Sequence, residues 1–320
     1  MNFWMDSIKL IQELLNKNFN FNKMYYFDFI PNELFETIIS FLDYDNLISF
    51  SDTFDIKNLN FSLIYYYKFD DKKIVNYKEY RKYLGASDLK DKLGLKRRVE
   101  ELIRLEKLDL NYNGLTSLPN SIAELTQLKR LHLNTNKLTS LPNTIGSLTQ
   151  LDYLYLGNNK LDSIPDGIVK LTQLKGLYIN NNRLDSLPEG IGNLTELNDL
   201  YLNSNRLTSL PNTIGNLIQL KELYVNNNKL TSLPDSIGNL TQLKMLILNN
   251  NELTLLPDSI GNLTRLESLR AGDNILTSLP NSIGNLTRLR YLDLRQNSFS
   301  SYPKILDKLV NDKISIIYRY

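Results

Sequence analysis

Apolar residues recur along most of this chain with a period of 23 residues. One unit, residues 220–242, reads LKELYVNNNKLTSLPDSIGNLTQ, and nine such units run from Leu105 to Asn311 without an insertion or a deletion. In the first six positions apolar residues alternate with other residues, which predicts a short strand with one buried face. One unit cannot close a hydrophobic core alone, so the units are expected to stack in parallel.

Proline and asparagine keep the same period. Nine of the ten prolines lie one unit apart, from Pro119 to Pro303, and asparagine fills the ninth position of every unit from Asn113 to Asn297. The asparagine amide is expected to satisfy backbone groups inside the turn after each strand. The pattern LxxLxLxxNxLxxLPxxIxxLxx resembles the leucine-rich repeat family. The resemblance implies an α/β solenoid over residues 105–311, with a parallel sheet on its concave side and irregular or 3₁₀ turns on its convex side.

Residues 1–104 differ in composition from the repeats. They hold eleven of the twelve phenylalanines and the only tryptophan, and they show no trace of the period. Pro31 suits the first turn of a helix, and Leu34, Ile38 and Leu42 follow at helical spacing. A second helix is predicted through Leu47. A separate N-terminal all-α module is therefore expected, and residues 312–320 are predicted to cap the other end of the repeats.

The segment 27–70 resembles the F-box family. The matching positions are Ile30, Pro31, Glu33, Leu34, Phe35, Ile38, Ile39, Leu42, Asp43, Asn46 and Leu47. The resemblance implies docking onto a Skp-family adaptor through Ile30, Pro31, Glu33, Leu34, Ile38, Leu42 and Leu47. Residues 1–26 would then be a helical extension, and residues 71–104 a linker and the N-terminal cap of the solenoid. The alternative is that these helices only cap the repeats.

The fifth position of each unit lies at the middle of its strand, on the face that points away from the core. Four consecutive units have tyrosine there. The residues predicted to bind a target on the concave face are Tyr153, Tyr155, Tyr178, Tyr201, Tyr224, Ile247 and Arg270. Polar residues at the third and eighth positions favour a hydrated peptide or protein site. Lateral stabilisation of the sheet and simple duplication of the unit remain alternative explanations of the tyrosines.

Composition excludes several classes of chemistry. The chain has no cysteine and one histidine, His132, so disulfides, thiolate sites and histidine pairs are excluded. Basic and acidic residues number 37 and 35, without the basic stripe of a nucleic-acid binder. No cofactor and no metal are predicted, and a catalytic use of His132 is less favoured than an exposed polar role. No apolar run approaches the length of about 20 residues that spans a membrane.

The two resemblances together imply a substrate-recognition subunit of an SCF-type cullin-RING ubiquitin ligase. Such a subunit would be non-catalytic, with a Skp-family adaptor, the cullin complex and an unidentified protein or peptide as partners. It is expected to be monomeric on its own and cytoplasmic, with the nucleus also open, and not secreted, because its N-terminus does not resemble a signal peptide. The alternative is a signalling scaffold that binds small GTPases or phosphatases, because the LPxxIxxL repeat type resembles the Ras-associated leucine-rich repeat proteins.

Overall fold

The computed structural model describes residues 77–309 and 314–318. The chain divides into two compact units, Met1–Leu95 and Lys96–Tyr320. In the described part of the first unit, helix α1 spans Tyr77–Leu93. It ends at Gly94, whose φ of 62° is the left-handed conformation that glycine favours after a helix. The predicted helical extension and the F-box-like segment lie outside the described residues.

The second unit begins with a short helix, α2, over Val99–Leu102. Ten strands follow within the described residues, and they form one parallel sheet in chain order. Their bounds are β1 Lys107–Asp109, β2 Arg130–His132, β3 Tyr153–Tyr155, β4 Gly176–Tyr178, β5 Asp199–Tyr201, β6 Glu222–Tyr224, β7 Met245–Ile247, β8 Ser268–Arg270, β9 Tyr291–Asp293 and β10 Ser315–Ile317. The predicted parallel sheet is confirmed.

From β1 to β9, each residue of a strand pairs with the residue one unit further along the chain, on the next strand. Leu131 pairs with Leu154, for example, and His132 pairs with Tyr155. The middle residue of each of these strands is a buried leucine, while the residues on either side of it lie on the opposite face of the sheet. Equivalent positions of successive units therefore lie side by side. The tail continues the sheet, because β10 pairs in parallel with β9.

In the part of the chain that the structure describes, nine 3₁₀ helices lie between the strands, as the repeat pattern predicts for the side opposite the sheet. They span Asn120–Glu124, Asn143–Ser147, Asp166–Lys170, Glu189–Asn193, Asn212–Asn216, Asp235–Asn239, Asp258–Asn262, Asn281–Asn285 and Lys304–Lys308. The periodic proline precedes each of them. At Pro211, φ is −67°, and its carbonyl accepts a hydrogen bond from the Ile214 N–H at 3.0 Å. The fixed φ of proline suits this entry into the turn, and Ile214 is fully buried in the core.

The ninth-position asparagine joins neighbouring units through its amide. Asn182 Nδ2 donates to the carbonyl of Leu156 at 2.9 Å and to that of Ile179 at 3.2 Å. Its Oδ1 accepts the N–H of Leu161 at 3.0 Å. The same bridge to the preceding unit recurs at every ninth-position asparagine from Asn136 to Asn297. The predicted structural role of these asparagines is confirmed.

The residue before this asparagine has a left-handed backbone in every unit. The nine residues, with φ between 53° and 58°, are Tyr112, Thr135, Asn158, Asn181, Ser204, Asn227, Asn250, Asp273 and Gln296. Asparagine tolerates this region better than most residues because its short polar side chain bonds locally. The polar eighth position therefore reflects a backbone requirement, which weakens its use as a sign of a hydrated binding site.

We expect Asn182→Ala to lower the free energy of unfolding by about 3 kcal/mol, because it leaves buried backbone groups of two units unpaired. Chemical denaturation measures the loss, and hydrogen exchange should show faster exchange at the Leu161 amide. The matched control is Asn181→Gly, which keeps the left-handed backbone and should change stability by less than about 0.5 kcal/mol. Equal losses in the two variants would contradict the bridging role.

Adjacent 3₁₀ helices pack so closely that two departures from the repeat pattern, Val169 and Gly190, depend on each other. A Cβ at Gly192 would lie 2.5 Å from the carbonyl oxygen of Thr213 in the next unit, so glycine is needed there. One unit earlier that position holds Val169, and the residue opposite it is Gly190 instead of serine or threonine. A Cβ at Gly190 would lie 2.8 Å from Val169 Cγ1. Gly190, which has no side chain, therefore leaves the space that the Val169 side chain occupies.

Gly190→Ser should therefore destabilise the chain by about 2 kcal/mol, because the new side chain is forced against Val169. In a Val169→Gly background the same change should cost clearly less, since glycine opposite serine is the arrangement of Gly215 and Ser236. Urea unfolding of the wild type, both single variants and the double variant gives the coupling energy. Additive effects would mean that the two residues are independent.

Candidate functional site

The third and fifth positions of each unit lie on the face of the sheet that points away from the core, here called the outer face. Four fifth-position rings make a continuous tyrosine stripe, defined as Tyr155, Tyr178, Tyr201 and Tyr224. Their ring centroids are 4.7, 4.9 and 4.2 Å apart in that order. The rings are half-buried, so part of each remains open to a partner. The structure brings together the stripe that the sequence predicts.

The rings are not arranged alike. Tyr155 and Tyr178 stack with an interplanar angle of 7°, whereas Tyr178 and Tyr201 meet edge to face at 72°. His132 extends the stack, with its ring centroid 4.4 Å from that of Tyr155. Both arrangements are favourable for aromatic pairs. Lateral contact therefore stabilises the stripe whether or not it also binds a partner.

Gly176 leaves room for the neighbouring rings of Tyr153 and Tyr178. It occupies the third position of its unit and is the first residue of β4, between Tyr153 on β3 and Asp199 on β5. A Cβ at Gly176 would lie 2.7 Å from both Tyr153 Cδ1 and Tyr178 Cε2. Any side chain here would push these rings apart, so the aromatic surface depends on a residue without one.

Each hydroxyl from Tyr178 to Tyr224 bonds to the third position of the following unit. Tyr178 Oη donates to Asp199 Oδ2 at 3.0 Å, and Tyr201 Oη donates to Glu222 Oε2 at 2.6 Å. Tyr224 Oη meets Met245 Sδ at 3.7 Å. The two carboxylates were not among the predicted target-binding residues. The sequence could have identified them, because each carboxylate lies one strand beyond a tyrosine, on the same face of the sheet.

The centre of the stripe is electrostatically negative. Burial raises the pKa of Tyr178, and the nearby Asp199 carboxylate raises it further. Burial and the hydrogen bond to Glu222 likewise raise the pKa of Tyr201. The pKa of Asp199 is itself raised, first by burial and then by the charge of Glu222, while its bond from Tyr178 opposes the shift. Within the described residues, no ion pair neutralises either carboxylate.

The end of the outer face near β1 and β2 is basic. Arg130 lies with its guanidinium carbon 5.7 Å from the centre of the Tyr153 ring. Lys107 Nζ lies 4.0 Å from Asp109 Oδ2. Burial lowers the pKa of His132, and the charge of Lys107 lowers it further. His132 was expected to be an exposed polar residue, but its ring is half-buried in the stack, and in the described structure its Nε2 has no hydrogen-bond partner.

The far end contains the last two predicted target-binding residues. Arg270 is exposed, with its guanidinium carbon 4.7 Å from the centre of the Tyr291 ring. Ile247 occupies the outer face but is only 6% exposed. It lies in register between Tyr224 and Arg270, so it offers a partner little surface. Asp293 is 1% exposed and pairs with Arg295 at 3.2 Å.

The predicted adaptor-binding residues lie outside the described residues, as does the rest of segment 27–70. In the ranges 77–309 and 314–318, no group of three or more histidines or carboxylates could hold a metal ion. In the same ranges no helix combines the length and apolar character that crossing a membrane requires.

We expect the stability of the chain to fall as pH rises above the tyrosine pKa. A tyrosine whose pKa is higher in the folded chain holds its proton more tightly there. Its contribution is complete below the unfolded pKa of about 10 and is lost as pH rises above it. The urea midpoint should therefore drop as pH rises from about 10 to about 12, and less so in a Tyr178→Phe Tyr201→Phe variant.

Tyr112→Phe is the control, because Tyr112 is 78% exposed and lies outside the stripe. Its urea midpoints should follow those of the wild type at each pH. If the double phenylalanine variant fell as steeply as the wild type, the buried hydroxyls would not cause the pH dependence.

Comparison with known protein families identifies leucine-rich repeats along the same part of the chain. A family model of the leucine-rich repeat region matches residues 131–210 and 210–311. A second model, of two leucine-rich repeat copies, matches residues 103–145. Among curated proteins no match was found.

Solved structures share the architecture. A leucine-rich repeat protein of Leptospira interrogans is 37% identical with a TM-score of 0.65, over 70% of this chain and 56% of its own. An internalin of Listeria monocytogenes is 28% identical with a TM-score of 0.59, over 68% of this chain and 62% of its own. The ectodomain of a membrane receptor kinase of Arabidopsis thaliana, solved in complex with Casparian strip integrity factor 2, is 35% identical with a TM-score of 0.60. That match covers 67% of this chain and 26% of the receptor chain. This chain thus spans little more than half of the Leptospira protein.

Proposed function

The chain belongs to the leucine-rich repeat family, and we propose that it is a non-catalytic protein-interaction subunit that captures a target on its outer face. The observation that carries this proposal is the half-buried tyrosine stripe on an otherwise open sheet. Tyrosine offers a large rigid surface and a hydroxyl at little cost in conformational entropy, which is why recognition surfaces use it heavily. The similar receptor ectodomain from Arabidopsis, solved in complex with Casparian strip integrity factor 2, supports the same general use of the fold.

The more specific proposal is that the chain acts as the substrate-recognition subunit of an SCF-type cullin-RING ubiquitin ligase. Its support is the resemblance of residues 27–70 to the F-box. In that arrangement Pro31 and Leu34 contact a Skp-family adaptor, while the outer face holds the substrate. The chain contributes no covalent step, and with no cysteine it has no thiol to carry ubiquitin.

A signalling scaffold is the second candidate. The nine repeats share the LPxxIxxL type of the Ras-associated leucine-rich repeat proteins. In this case the outer face would take a small GTPase or a phosphatase, and the N-terminal segment would have no adaptor to bind. The two candidates differ in what the first 70 residues do.

Co-purification of the full chain with a Skp adaptor and a cullin separates them. We expect the wild type to retain both, and Leu34→Asp to lose both, because a carboxylate replaces an apolar contact of the adaptor interface. Pro31→Ala should reduce retention less severely. Leu255→Asp is the matched control: it makes the same change at a leucine that is 54% exposed in the repeats, and it should retain both partners.

If the wild-type chain retains neither the adaptor nor the cullin, the ligase proposal fails. Retention of a GTPase or phosphatase instead would support the scaffold. Retention that is equal in the wild type and Leu34→Asp would show that the F-box-like residues do not make the contact.

A further inference from the structure

Charges of opposite sign that make no ion pair in the described residues lie on two separate parts of the outer face. Near its first strands, Arg130 is exposed and in the described residues makes no ion pair. Three strands further on, Asp199 and Glu222 lie side by side on β5 and β6. Lys221 is close enough to Asp199 to oppose the rise in its pKa, but no ion pair within 4.0 Å joins them in the described structure.

The first two rings of the stripe lie between these charges. Tyr155 and Tyr178 lie on β3 and β4, between the strand of Arg130 and the strand of Asp199. Hydroxyl bonds hold the two carboxylates against the rings, so their side chains are already ordered before a partner arrives. A cation placed here would meet both carboxylates and an aromatic surface, and each of these attracts positive charge.

Strand spacing sets the length of the segment that could reach both regions. Neighbouring strands are about 4.8 Å apart, so β2 and β5 are separated by about 14 Å. An extended chain rises about 3.4 Å per residue and covers that distance in about four residues. Residues four apart in an extended chain also point to the same side. A single strand-like segment can therefore face Arg130 and Asp199 together.

We infer that the outer face binds an extended peptide segment that runs across the strands, with an acidic residue opposite Arg130 and a lysine or arginine four positions away, opposite Asp199 and Glu222. The apolar or aromatic side chain midway between them packs on Tyr155 and Tyr178. This inference rests on the proposed use of the outer face for target capture, and it adds the chemistry and the spacing of the bound segment.

Selection from a random peptide library displayed on phage, with the full chain as bait, provides the test. Wild-type protein should enrich peptides with an acidic and a basic residue four positions apart. The Asp199→Asn Glu222→Gln variant preserves side-chain shape, so hydroxyl bonding can persist while the charge is removed. It should bind the enriched peptides at least 10-fold more weakly. Arg130→Gln should weaken binding of the same peptides and relax the requirement for the acidic residue.

Asp235→Asn with Asp258→Asn is the matched control, because it removes two exposed carboxylates from the 3₁₀ helices and leaves the outer face unchanged. It should bind like the wild type. A Tyr178→Ala Tyr201→Ala variant distinguishes two failures. Peptides that depend on the tyrosines but show no charge preference would overturn the charge inference and keep target capture on the outer face. No enrichment at all, or binding indifferent to the tyrosines, would overturn both.

Discussion

The asparagine bridge between units is the interaction on which the rest of the repeat region depends. Each amide satisfies carbonyl and N–H groups of two successive units at a place where the backbone leaves the strand and has no regular partner. An unpaired buried backbone group costs more than a typical hydrogen bond contributes, so the bridge is obligatory. It also fixes the offset between neighbouring units at 23 residues. A shifted unit would place the asparagine away from its partners.

Fixed register explains why the outer face is organised in rows. Every third position lies beside the next third position, and every fifth beside the next fifth. Four tyrosines that are 23 residues apart in sequence must then meet as a stack. The hydroxyls of Tyr178, Tyr201 and Tyr224 each reach diagonally to the third position of the following unit, so that residue decides the partner. Tyr178 and Tyr201 find carboxylates, whereas Tyr224 finds a methionine.

Much of this could be predicted from the sequence, because a period is a strong signal. The parallel strands, the 3₁₀ helices after proline, the buried asparagines and the tyrosine stripe all follow from position within the unit. The contacts between neighbours do not. Ile247 is buried although its position faces outward, and Tyr178 stacks on one neighbour but meets the other edge to face. Those outcomes depend on the sizes of the adjacent side chains, which a single unit does not contain. The polar eighth position was assigned to the binding surface because the sequence shows only the polarity of its residues. The left-handed backbone that favours those residues is visible only in the structure.

Specificity in such a chain must reside where the units differ. Residues shared by all nine units hold the solenoid together but cannot distinguish one region of the outer face from another. The third position of the unit varies in both charge and size. It is basic at Arg130, has no side chain at Gly176, and is acidic at Asp199 and Glu222. Val169 and Gly190 show that departures can also be purely structural, compensating each other on the opposite side of the sheet. A departure is a candidate for recognition when it changes the charge or shape of the outer face and no neighbouring unit compensates for it. Arg130, Asp199 and Glu222 meet that condition.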